Sequence, residues 1–307
     1  MRYAVIGTGA IGGYYGAKLA WAGQEVHFLL HSDYDFVRRN GLQVNSWQGS
    51  FHLDSPHIYN EASAMPRCDV VLVALKTTNN RLLASLLPPL LGAQTIVVLI
   101  QNGIGVEPDV QAMLPGAQLA AGLAFICSAK TRPGVVDHQH YGGLTIANYS
   151  CHSQAAVERL VGELADSGIE THLAEYHFAR WRKAVWNMPF NGMTVAMQCQ
   201  TDRLLAVPAT RQLIRRQMLE VIHASQALGI AGLHDDFADR MLADTDAMVP
   251  YSPSMRLDWD FRRPMELGYI YDRPLLLARQ AGCPMTELQQ LADKLHRMEH
   301  EQLHSAK

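Results

Sequence analysis

The tightest constraint on this chain stands at its beginning, in Tyr3-Ala4-Val5-Ile6-Gly7-Thr8-Gly9-Ala10-Ile11-Gly12. A short apolar run meets glycines at positions 7, 9 and 12, and a helix-like segment follows through Tyr15, Leu19 and Ala20. Strand, glycine turn and helix in that order form the context in which G-x-G-x-x-G marks a dinucleotide site. Gly7 is expected to make the tight turn, and Gly9 to let the backbone approach a pyrophosphate. Gly12 lets the helix pack close to the strand, so that its first N–H groups and its dipole face the phosphates. Thr8, Ala10 and Ile11 complete the expected cofactor contacts of the turn. The competing reading of the same letters is a tight strand–helix turn that holds no ligand.

Composition bounds what such a turn can belong to. At 307 residues the chain has length for two domains and a sizeable core. A net charge of −3 offers no field for nucleic acid or for an anionic membrane surface. No apolar run reaches the roughly 18 residues that a membrane span needs. The chain opens directly on its first strand, leaving no room for a signal peptide. Five scattered cysteines without C-x-x-C spacing read as reduced thiols of a cytoplasmic protein, with no metal set among them.

Further along, Glu25–Leu30 reads as a second strand, and residues 41–44 and 49–53 as a short hairpin. Cys68–Leu75 and Thr95–Ile100 are continuous apolar runs of the kind found in parallel strands buried on both faces. A helix is expected around Leu82–Leu87, ended by Pro88-Pro89. Residues 119–127, 135–138 and 144–147 read as three more strands, followed by a helix over Gln154–Asp166 and a last strand over Ile169–Leu173. From there to the C-terminus the periodicity is helical. The fold expected is α/β: an N-terminal Rossmann-type doubly wound sheet over residues 1–173, then a mostly α-helical domain over 174–307. Ligands of such sheets bind beyond the carboxyl ends of the strands.

Three groups of residues are candidates for chemistry. Lys76 and Asn102 each follow a buried strand and suit the ribose or nicotinamide of a cofactor, although either is also an ordinary loop residue. Lys183, Asn187 and Asn191 are spaced four apart, which places one cation and two amides in a row on a helix face. Their flanks hold Trp, Val, Met and Phe, so burial can lower the lysine's pKa toward a useful acid range. Pro189 removes the backbone donor to Val185 and is expected to kink the helix between the two asparagines. Ser254, at an expected helix start, reads equally as a capping hydroxyl, and Asp258 and Glu266 equally as surface carboxylates.

Taken together these motifs resemble the ketopantoate reductase family, over nearly the whole chain and in order. They are the glycine turn, Leu75-Lys76-Thr77, Asn102-Gly103, Lys183-x3-Asn187-x3-Asn191, and Ser254-Met255 with Glu266 twelve residues beyond Ser254. The resemblance implies an NADP-dependent oxidoreductase that takes a 2-oxo acid, 2-dehydropantoate (ketopantoate), to pantoate in pantothenate biosynthesis. It assigns Lys183 as the general acid, with Glu266 orienting it or contacting the cofactor. Asn187, Asn191, Ser254 and Asn102 would bind substrate, and Gly7 to Gly12, His31, Lys76 and Asn102 would line the cofactor. His31 stands where the family usually places an arginine for the 2′-phosphate, with Arg38 and Arg39 further on; NADPH is the expected cofactor and NADH the alternative. Leu267-Gly268 and Tyr251 also depart from the family pattern, which leaves open another 2-oxo or 3-hydroxy acid as substrate. A non-catalytic dinucleotide sensor is the reading from a different class. The partner expected is a small-molecule 2-oxo acid, with no nucleic acid and no membrane, and a homodimer is compatible with the sequence.

Overall fold

The computed structural model describes residues 1–304. The chain divides into two compact units, one made of Met1–Gln101 with Val106–Tyr176, the other of Asn102–Gly105 with His177 onward.

The first unit is built on a ten-stranded mixed sheet. Its elements run β1 (Arg2–Ile6), α1 (Ala10–Trp21), β2 (Glu25–Leu29), α2 (Tyr34–Asn40), β3 (Leu42–Ser46), β4 (Phe51–Leu53), β5 (His57–Tyr59), β6 (Val70–Val73) and α3 (Leu83–Leu86). They continue with β7 (Ile96–Leu99), α4 (Val106–Met113), β8 (Gln118–Arg132), β9 (Val135–Asn148), α5 (Gln154–Asp166) and β10 (Thr171–Ala174). Strands β5-β2-β1-β6-β7-β8 lie side by side and parallel. Every residue of β6 and β7 is buried, as their unbroken apolar letters require of strands covered on both faces. Alternation sends Tyr3, Val5, Val70, Leu72, Ile96 and Val98 toward one core, which they share with Tyr14, Tyr15 and Leu19 of α1 and Leu160 and Leu164 of α5.

Two expectations are corrected here. The three strand runs over 119–147 are only two strands, β8 and β9, in one long antiparallel hairpin with bulges. The first part of β9 pairs with β3, and its last part with β10, so the sheet is parallel at its centre and mixed on this side. The helix expected at Leu82–Leu87 is a 3₁₀ stretch, Thr77–Leu82, followed by the four residues of α3 and a further 3₁₀ turn at Pro88–Leu90.

The second unit is helical. Its elements are α6 (Tyr176–Ala196), α7 (Thr201–Leu205), α8 (Pro208–Ala227), α9 (Asp236–Asp246), α10 (Ser254–Asp260), α11 (Arg273–Gln280) and α12 (Thr286–His304). A π-helical turn, Gly268–Asp272, precedes α11. The core joins Val185, Phe190, Met218, Ile222, Leu242, Ile270, Tyr271, Leu288 and Leu295, all nearly closed to solvent. Both oxygens of Glu220 on α8 accept the first backbone N–H groups of α12, from Glu287 and Leu288. This satisfies orphan donors at the helix N-terminus, where a negative charge is favourable. None of the helices among the described residues is long and apolar enough to cross a membrane. All five cysteines are free.

Candidate active site

In the sheet unit the glycine turn has the geometry its letters demand. Gly7 sits at φ +91°, and a Cβ there would lie 2.6 Å from the Leu75 backbone nitrogen. A Cβ on Gly12 would lie 2.4 Å from the Gly7 carbonyl oxygen, so the close approach of α1 to the strand end requires glycine. In front of Gly9 the space is open. Gly9 is the N-cap of α1 and supplies no side-chain acceptor, which leaves the first amides of the helix for an anion. The turn is tied down by Gly9 N–H to the Gly7 carbonyl at 2.8 Å and by the Thr8 hydroxyl to the Leu29 carbonyl at 3.0 Å. An open, rigid loop of this kind fits a pyrophosphate.

The neighbouring strand ends add to this frame. Lys76 is half-buried at the start of the 3₁₀ stretch after β6. Gln101, at the end of β7, donates through Nε2 to the Leu75 carbonyl at 2.8 Å and to Asn80 Oδ1 at 2.7 Å. Beyond β2, His31 and Ser32 are exposed. Arg38 pairs with Asp35 at 3.4 Å and lies over the Tyr34 ring. Asp33, the first carboxylate after β2, is 5% exposed. Its Oδ2 accepts from Lys130 Nζ at 2.6 Å and from the Gly134 amide at 2.9 Å, and its Oδ1 from the Ser32 hydroxyl at 3.2 Å. Burial alone would push this carboxyl up, but Lys130 and the Gly134 amide outweigh it and hold it below the usual aspartate range.

In the helical unit the expected row is present on α6, and its two amides are linked. The Asn187 amide donates to Asn102 Oδ1 at 3.4 Å. Asn191 donates to the Asn187 carbonyl at 2.9 Å and accepts the Met255 amide at 3.4 Å, which brings the start of α10 to the row. Ser254 is the first residue of α10 and the N-cap position falls on Pro253, so Ser254 is not the cap of this helix. The alternative of surface carboxylates falls as well: Asp258 is 2% exposed and paired with Arg263 at 3.0 Å, and Glu266 is 4% exposed. Asn102 enters this unit on the Asn102–Gly105 segment. Gly103 there has φ +103°, and a Cβ would stand 2.5 Å from the Tyr269 carbonyl oxygen. The Ile104 amide donates to that same carbonyl at 2.9 Å.

Lys183 is the electrostatic centre of the row. Burial, and next the Arg180 guanidinium one turn earlier on α6, push its ammonium down to about 7; Glu266 pulls the other way. Arg180 is itself 3% exposed. A lysine poised near neutrality is matched to giving up a proton at physiological pH.

Two residues of this arrangement were not singled out from the sequence. Arg180 is three positions before Lys183 and so on the same face, a spacing that was there to be read. Tyr271 was not legible: its hydroxyl donates to the Met188 carbonyl and accepts from the Gly192 amide, beside Pro189, where α6 lacks a backbone donor. A side chain on Gly192 would collide with that hydroxyl.

Comparison with known proteins points to one family along the chain. The family model described as ketopantoate reductase PanE/ApbA matches residues 3–150, and that for the family's C-terminal part matches residues 176–299. A 2-dehydropantoate 2-reductase from a Nostoc species is 41% identical over 301 residues, covering 96% of this chain and 94% of its own. The crystal structure of 2-dehydropantoate 2-reductase from Geobacter metallireducens matches with a TM-score of 0.94 at 36% identity, over 97% of this chain and 99% of that one. Its counterpart from Methylococcus capsulatus matches with a TM-score of 0.88 at 31% identity, over 98% of both chains.

Proposed function

The chain belongs to the ketopantoate reductase family of oxidoreductases, and from that premise we propose that it reduces 2-dehydropantoate to pantoate with NADPH, as a cytoplasmic step of pantothenate biosynthesis. The observation that carries this reading is Lys183, pushed down to about 7 within a row of amides and beside a buried carboxylate.

The glycine turn and the amides of α1 would hold the pyrophosphate, with Lys76 and His31 along the rest of the cofactor. When bound, the reduced nicotinamide supplies a hydride to the carbonyl carbon. The chain's own residues do the remaining work. As the C=O bond becomes C–O⁻, the Lys183 ammonium faces the growing negative charge and transfers its proton to that oxygen, leaving the hydroxy acid and a neutral amine. Asn187, Asn191, Ser254 and Asn102 would fix the carboxylate and hydroxyl oxygens of the substrate. Glu266 orients the lysine and favours its charged form.

Cofactor choice follows from the loop after β2. The residue that holds a ribose 2′-OH in NAD sites is acidic, and here Asp33 is already occupied by Lys130 and Gly134. That supports NADPH although His31 replaces the arginine expected for its phosphate.

The test is a panel of 2-oxo acids, ketopantoate among them, run with NADPH and with NADH and followed by loss of reduced-nicotinamide absorbance. Oxidation of NADPH fastest with ketopantoate is the expected result; no oxidation with any member overturns the reading. Preference for another acid would move the substrate and keep the chemistry, and Leu267-Gly268 beyond Glu266 is where the pocket would differ. Lys183→Ala is expected to retain cofactor binding and lose most turnover.

A further inference from the structure

The far end of the β8–β9 hairpin reaches two loops of the cofactor frame at once. Ser128 and Lys130 are two apart on β8 and so project to one face. The Ser128 hydroxyl donates to the Ala10 carbonyl, in the first turn of α1, at 3.3 Å. Lys130 pairs with Asp33 beyond β2 at 2.6 Å, and the Gly134 amide closes on the same oxygen at 2.9 Å. The hairpin is itself anchored, since the Gly134 carbonyl accepts the Gln43 amide at 2.9 Å. The carboxylate is therefore turned inward and neutralised, while His31 and Ser32 face solvent.

This arrangement bears on the 2′ position of the adenosine ribose. A free carboxylate beyond β2 would accept from a 2′-OH and repel a 2′-phosphate; a carboxylate held by an ammonium does neither. We propose that the Lys130–Asp33 pair is a specificity-determining element, which sets the preference for the 2′-phosphorylated dinucleotide by keeping the first carboxylate beyond β2 out of its reach. The inference rests on the reading that a nicotinamide dinucleotide occupies the glycine turn.

The two partners give opposite outcomes. Lys130→Met leaves one uncompensated negative charge beside the loop and is expected to lower the ratio of kcat/KM for NADPH to that for NADH about tenfold or more, the order expected of one like charge near a dianionic phosphate. Asp33→Asn leaves the cation uncompensated beside the loop and is expected to raise the ratio. The double variant restores neutrality and is expected to return the ratio toward wild type. Should Lys130→Met fail to fold with its buried carboxylate unpaired, Asp33→Asn carries the test, since a purely structural pair would lower kcat/KM for both cofactors alike. An unchanged ratio in either single variant, or a fall of the ratio in Asp33→Asn, overturns the proposal alone. A wild-type chain that quenches neither NADPH nor NADH fluorescence overturns the underlying reading as well.

Discussion

The state of Lys183 gives the most direct quantitative test. With its ammonium pushed down to about 7, the lysine is half protonated at neutral pH and only about 1% protonated two pH units higher. Reduction needs the ammonium, so kcat/KM for the 2-oxo acid should be level below about pH 6 and fall roughly 50-fold between about pH 7 and pH 9. An ordinary lysine, with a reference value of 10.5, would stay more than about nine-tenths protonated at pH 9 and show no such fall. The opposite reaction, oxidation of the hydroxy acid, needs the free amine and should rise over the same interval. The assay is steady-state reduction at saturating cofactor across this range, in buffers of constant ionic strength. The neighbours supply a check of sign. Arg180 pushes the lysine down and Glu266 pulls it up, so Arg180→Met should move the midpoint to higher pH and Glu266→Gln to lower pH. A flat profile from about pH 6 to pH 9, or a midpoint that stays put in Lys183→Arg, would refute the assignment of Lys183 as the proton donor.

Two further outcomes are expected in the helical unit. Gly103→Ala forces a Cβ to 2.5 Å from the Tyr269 carbonyl oxygen at φ +103°; a cost of about 3 kcal/mol, or a Tm lower by roughly 6–12 °C by calorimetry, follows, together with loss of activity through Asn102. Tyr271→Phe leaves the ring in place but takes a partner from the Met188 carbonyl and the Gly192 amide. It should cost about 1–3 kcal/mol in urea unfolding and raise KM for the oxo acid, because Asn187 and Asn191 flank that turn of α6.

The parts of this architecture that were legible are those written in local periodicity. The apolar runs of β6 and β7 can only be doubly covered strands, and four-residue spacing in an apolar context could hardly place Lys183, Asn187 and Asn191 anywhere but along one helix. α5 was readable to the residue, since Ser153 caps it by accepting the Ala156 amide and its apolar positions recur at 157, 160 and 164. What could not be read is set by partners distant in sequence. The alliance of β3 with β9, Gln43 opposite Val135, depends on sheet pairing across some ninety residues, so the hairpin looked like separate strands. Asp33 stands four residues past the end of β2, but nothing local in the sequence says that Lys130 claims it. Spacing left Glu266 and Asp258 open to a reading as surface carboxylates, because their burial comes from the packing of the helical unit. The π-helical turn that brings Tyr271 to α6 likewise leaves no periodic signature.

The chain leaves the sheet unit after Gln101, contributes Asn102–Gly105 to the helical unit, and returns at Val106. The helical half is thus not a cassette that one cut can excise. A fragment beginning at His177 would lack the strand of backbone that hydrogen bonds Tyr269 through Ile104 and presents Asn102 to Asn187. Exchange of helical halves between relatives to trade substrate preference therefore has to carry these four residues as well, from the middle of the other half. Recombination at a single crossover would join the Lys183–Asn187–Asn191 row to another protein's Asn102–Gly105 segment.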